Sequence, residues 1–205
     1  MSLIKISSAT SEPVSLDELK HHLRLSTVDT SEDVLLNSLI VVSRSMAENY
    51  MKRQILPAKW KLTLECFPGD TEIIELPRPP LSSLTCGTLS TGVTIQYYKD
   101  TTIVDDSTTF PSTAFAIDMG SEPGRVYPFY DNEWPSCVTE EKKDAVQISY
   151  TSGYATVPES IKVWIMMKAG DLYENRGALS ETQLYPLGHE FYMGLLDEFV
   201  ILDFK

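Results

Sequence analysis

The chain has 205 residues, enough for one sizeable core or a core with an inserted module. Its hydrophobic content of 42% and charged content of 22% are those of an ordinary globular protein. With 29 acidic against 17 basic residues the net charge is −12, which argues against a tight grip on DNA or anionic membrane, because phosphate binding needs concentrated Lys and Arg.

The opening MSLIKISSAT lacks an apolar run of signal-peptide length, and Ser15-Leu-Asp-Glu18 reads as a capping box. A short helix is expected from there to about Leu25, with Leu16, Leu19 and Leu23 on one side. Thr30 or Ser31 is the expected cap of a longer helix, with Glu32 and Asp33 in its first turn. Leu35, Leu39, Val42, Met46 and Tyr50 follow at helical spacing to about Ile55, and Pro57 ends the helix.

From Trp60 the period changes to two. Trp60, Leu62 and Leu64 alternate with Lys61, Thr63 and Glu65, the pattern of a half-buried strand. Residues 73–76, 93–97, 115–117 and 146–150 read alike. Turn-formers separate them, including Pro68-Gly69-Asp70, Pro77-Arg78-Pro79-Pro80 and Pro123-Gly124. Residues 100–113, rich in Ser, Thr and Asp, read as a solvated hairpin or loop.

Residues 157–176 form the most apolar expected helix. Pro158 suits its first turn, and Ile161, Trp164, Ile165, Ala169 and Leu172 make one stripe. Val163, Met166, Met167 and Tyr173 widen the apolar surface, so cover on more than one side is expected. Gly177 is the expected stop. After a polar connection, residues 190–199 suggest a last helix weakened by Gly194, followed by the apolar end Phe199–Phe204.

These elements predict an α+β fold: a small helical bundle core with an inserted all-β module between the long N-terminal helix and the C-terminal helices. The expected divisions are residues 1–56 for the N-terminal helices, 57–156 for the β module and 157–205 for the C-terminal helices and tail.

Chemistry is sparse. His21 and His22 are adjacent on a helix and diverge, and His189-Glu190 lacks the second His of a zinc-protease pattern. Asp105-Asp106 sits in a solvated loop, and Cys66, Cys86 and Cys137 have no metal-ligand spacing. No P-loop, GxSxG or GxGxxG pattern occurs. Trp60, Trp134 and Trp164 fit core or interface packing better than a ligand platform. No cofactor, no metal site and no enzymatic activity are therefore expected. The longest apolar run, Val163–Met167, falls far short of the ~18 residues of a membrane span.

The ordered series of landmarks resembles the head–tail connector (head-completion adaptor) proteins of tailed phages. Glu12-Pro13-Val14-Ser15-Leu16-Asp17-Glu18-Leu19-Lys20 looks like the family's opening. Ile55-Leu56 leading to the Trp60 strand, Leu76-Pro77-Arg78-Pro79-Pro80-Leu81 and Glu122-Pro123-Gly124-Arg125-Val126 with Trp134-Pro135 follow. Tyr150-Thr-Ser-Gly-Tyr154, Val157-Pro158 and Leu172–Arg176 complete the series. Family members often end in a Leu-Leu, Pro, Tyr, Arg run; here Leu195-Leu196 precedes Asp197-Glu198-Phe199.

The resemblance implies a virion protein, present in the host cytoplasm during assembly, that forms a closed ring of about a dozen copies on the portal. A tail-side adaptor or tail-terminator protein is the other implied partner, and double-stranded DNA only passes through the lumen. The expected interface comprises Met166, Met167 and Tyr173 with Phe199, Val200, Ile201, Leu202 and Phe204. The competing expectation is a monomeric ligand- or glycan-binding module built on the β insert. A hydrolase using a carboxylate pair stands further off.

Overall fold

The computed structural model describes residues 1–69, 71–82, 92–98, 107–136, 144–175 and 193–201. Leu202, Phe204, Cys86, Cys137, His189 and Asp105-Asp106 lie outside the described residues. The chain divides into two compact units, one of Met1–Ala9 with Leu56–Ala155 and the other of Thr10–Ile55 with Thr156–Lys205.

The first unit is β. Strands β1 (Ser2–Ser8), β2 (Ala58–Leu64), β8 (Val146–Ser152), β4 (Thr94–Tyr98) and β5 (Ser107–Thr109) form one antiparallel sheet in that order. A second antiparallel sheet runs β3 (Ile74–Leu76), β7 (Gly124–Pro128), β6 (Phe115–Asp118). Register follows the two-residue period: Trp60 faces Tyr150 and Leu62 faces Ile148, so their buried side chains fall on one face. In the second sheet Ile74 and Ile117 both pair with Val126, and Leu76 with Gly124.

Both sheets feed one hydrophobic cluster that includes Leu62, Ile95, Ile148, Leu76, Val126 and Phe115. Aromatic rings close it. Trp134 stacks on Phe67 at 5.1 Å between centroids, and Tyr97 meets Phe67 edge-on at 5.6 Å. Trp134 Nε1 donates to the Glu72 carbonyl at 2.8 Å, and the Tyr150 hydroxyl to that of Pro77 at 2.7 Å. Burial pushes the Tyr150 pKa upward, so the hydroxyl stays a proton donor. Gly153 has φ +128°, and a Cβ there would lie 2.6 Å from the Leu56 carbonyl carbon and the Pro57 nitrogen.

The second unit carries the helices: α1 (Leu16–His22), α2 (Asp33–Met51) and α3 (Glu159–Glu174). Ser15 caps α1 with Glu18 reciprocating, the expected capping box. Lys52, in the left-handed region at φ 55°, ends α2 four residues before Leu56. Neither Thr30 nor Ser31 caps α2; Glu32 stands at that position and makes no capping hydrogen bond with its side chain. Ser31 instead donates its backbone N–H to Asp29 Oδ1 at 2.9 Å. In α3, Ile161, Trp164, Ile165 and Ala169 are buried as the stripe requires, while Leu172 is half-buried.

The expected architecture needs correcting. Among the described residues three α-helices accompany eight strands in two antiparallel sheets, so the fold is mostly β, not a small helical bundle core carrying an insert. One reason is β1. It comes from the very start of the chain, ahead of every helix, and pairs antiparallel with β2. Another lies near the C-terminus, where the described part of the helix expected over residues 190–199 is a turn after Met193 and one 3-10 turn, Asp197–Phe199. Strand β5 falls within residues 100–113, where a hairpin or loop was expected, and β7 starts at Gly124, where a turn was expected.

Candidate functional site

Among the described residues no group of three or more His, Cys, Asp and Glu side chains is placed to hold a metal, and no helix is long and apolar enough to cross a membrane. His21, His22 and Cys66 are exposed. A cavity beside the α1–α2 connection is lined by Lys20, Asp29, Glu32, Asp33 and Leu36. The buried Lys20 Nζ occupies its polar side, donating to the Asp29 carbonyl at 2.6 Å and pairing with Asp33 at 2.5 Å. The Asp33 carboxylate and the Asp29 carbonyl thus serve an internal cation.

The unusual surface belongs to α2. Its buried face is Leu36, Ile40, Ser43, Ala47 and Met51. The stripe read from the sequence at helical spacing, Leu35, Leu39, Val42, Met46 and Tyr50, lies about 100° round the helix from the buried one. Leu35 is 36% exposed, Val42 46%, Met46 43% and Tyr50 37%, with Leu39 half-buried between them. Val34 and Val41 are exposed alongside. The stripe runs for roughly 22 Å at 1.5 Å per residue.

A network missed by sequence reading anchors the inner side. Arg44 donates from Nε and Nη2 to both Glu12 oxygens, at 2.6 and 3.2 Å, and from Nη1 to Glu48 at 2.9 Å. The other Glu48 oxygen accepts from Gln54 Nε2 at 2.6 Å and from the Ile55 N–H at 3.0 Å. Burial works against the Arg44 charge, but the Glu12 bond and the Glu48 and Glu12 charges outweigh it and raise its pKa. Only an Arg and a Glu at i, i+4 were visible in the sequence; Glu12 and Gln54 come from elsewhere along the chain.

The C-terminal segment docks at the end of α2. The Tyr50 hydroxyl donates to Asp197 at 2.9 Å, the Ile201 N–H to the Met51 carbonyl at 3.2 Å, and Arg53 Nε to the Phe199 carbonyl. Phe199, Val200 and Ile201 are half-buried there. On α3, Met166, Met167 and Tyr173 are also half-buried, and the Tyr173 hydroxyl donates to Glu32. The structure thus brings the described tail residues to the end of the exposed α2 stripe.

No protein-family model and no curated protein matches the chain. Solved structures do. One chain in the neck of an empty gene transfer agent (GTA) particle, computed with C6 symmetry, superposes with a TM-score of 0.73 at 18% identity, covering 100% of this chain and 98% of that one. A chain of the native GTA virion gives 0.72 at 17% identity, and one in the native neck computed with C12 symmetry 0.69 at 16%, both with the same coverage. At these identities the likeness is one of fold, and it runs from end to end. The chain has the fold of a chain found in the necks of gene transfer agent particles.

Proposed function

We propose that the protein is a non-enzymatic structural component of the neck of a phage-like virion. Copies of it form a ring on the portal and join the DNA-filled head to the tail side. The observation that carries this reading is the end-to-end fold match to chains of GTA particles, two of them in necks computed with C6 and C12 symmetry. Fold alone does not dictate function. Here the exposed apolar stripe of α2 adds a feature suited to assembly, since contiguous apolar surface marks interaction sites.

In this reading Met166, Met167, Tyr173 and the tail residues Phe199, Val200, Ile201, Leu202 and Phe204 serve self-association or docking. The portal and a tail-side adaptor or tail terminator are the partners, and the protein resides in the virion after assembly in the host cytoplasm. The net charge of −12 suits a conduit, because an acidic lining repels phosphates and lets a duplex slide. Removing the coding sequence from the producing cell tests the proposal. Filled heads and free tails should accumulate unjoined; intact tailed particles at normal yield would overturn it.

A further inference from the structure

We infer that the outward stripe of α2, centred on Val42 and Met46, is a contact face for a second copy of this chain. The inference rests on the ring reading above and assigns that ring a surface.

Charge decides the occupant. Between Val34 and Met51 the only charged residues are Arg44 and Glu48, and both are turned into the buried network with Glu12 and Gln54. What else α2 exposes beside the stripe is neutral, Asn37, Ser38, Ser45 and Asn49, and the exposed Asp197 and Glu198 stand at its far end, where Asp197 binds Tyr50. Copies carrying −12 each repel at distance, and like charges facing across a contact cost several kcal/mol. An acidic chain can meet itself closely only where such charges are absent. A basic or anionic partner, by contrast, would find no exposed charge to pair with along residues 34–51 themselves.

The stripe has the anatomy of an interface centre. Its steps of four, three, four and four residues follow a heptad-like seam that accepts an apolar helix or slab. Apolar residues stand in the middle with neutral polar ones at the margin. It continues into the tail, because Tyr50 binds Asp197 and Ile201 binds Met51, bringing the half-buried Phe199–Ile201 to its end. A closed ring uses a heterologous contact, so the stripe meets a different surface of the next copy.

The test uses the full chain with two double substitutions, Val42→Glu with Met46→Glu and Val42→Ser with Met46→Gln. Melting temperature and solution mass are read at rising protein concentration. The melting temperature of dilute protein should hold while association weakens roughly thirtyfold or more, the loss expected when buried anchors are removed. Association unchanged in whichever pair stays folded overturns the inference, yet leaves the ring standing on another face. Unfolding of both pairs also overturns it, showing that residues of the same chain cover the stripe. A wild-type chain that never associates removes both this face and the self-associating ring.

Discussion

Helices α2 and α3 are both apolar beyond a single stripe, yet they use the excess differently. In α3, Val163 is the large apolar residue left exposed, while Met166, Met167 and Tyr173 are half-buried. In α2, Val34, Leu35, Val41, Val42, Met46 and Tyr50 are all exposed. Such a concentration on one 19-residue helix is what supports the contact face inferred above, because isolated exposed apolar residues are common but contiguous rows are not. On the inner face of α2 the small residues Ser43 and Ala47 stand one position on from Val42 and Met46, which are exposed.

Mutations can break this contrast, beginning with the deepest side chain. Trp164→Ala should cost about 3–5 kcal/mol, the range for large-to-small core changes, seen as a large fall in the urea midpoint. A loss below about 1 kcal/mol would mean that α3 is packed loosely. Glu48→Ala should cost about 3 kcal/mol by removing an acceptor from Arg44 and Gln54 and from the Ile55 N–H, whereas Glu48→Gln should recover part of that. If both variants unfold alike, the carboxylate charge is the essential element.

Smaller effects sharpen the picture. Ser15→Ala should cost about 1 kcal/mol through loss of the capping box. Backbone and then side-chain hydrogen bonds from Ser15 lower the Glu18 pKa below its usual 4.5. A carboxylate lowered by folding contributes stability above its unfolded value, and that contribution fades as pH falls through the folded one. The wild-type melting temperature should therefore drop below about pH 4.5 more than that of Ser15→Ala, and parallel acid curves would contradict the assignment. Smallest of all is Val42→Ala on the outward stripe, which should change stability by no more than about 0.5 kcal/mol.

How far the fold could be read from sequence varies by element. The capping box at Ser15 and Glu18 and the alternation in β2 and β8 are local signals, and the structure contains them. Strand β1 escaped notice because Ile4 and Ile6 face outward on an edge and only Leu3 is half-buried. Strand β5 is three residues of Ser and Thr, and β7 begins inside a Pro-Gly pair that reads as a turn. In α2 the period showed the helix but not its inner face, since two stripes share the same spacing and the outward one is more apolar. Periodicity identifies a helix, but cannot tell a face covered by its own chain from one left for another. The Arg44 network needs Glu12, 32 residues away, a partner no local pattern supplies.

Counting the chain in purified particles tests the account most directly. Quantitative mass spectrometry of intact particles, referenced to the portal, gives its copy number per virion. The account predicts about a dozen copies, the ring size that the resemblance to head–tail connectors implies. A single copy per particle, or none in particles that carry complete necks, would contradict it.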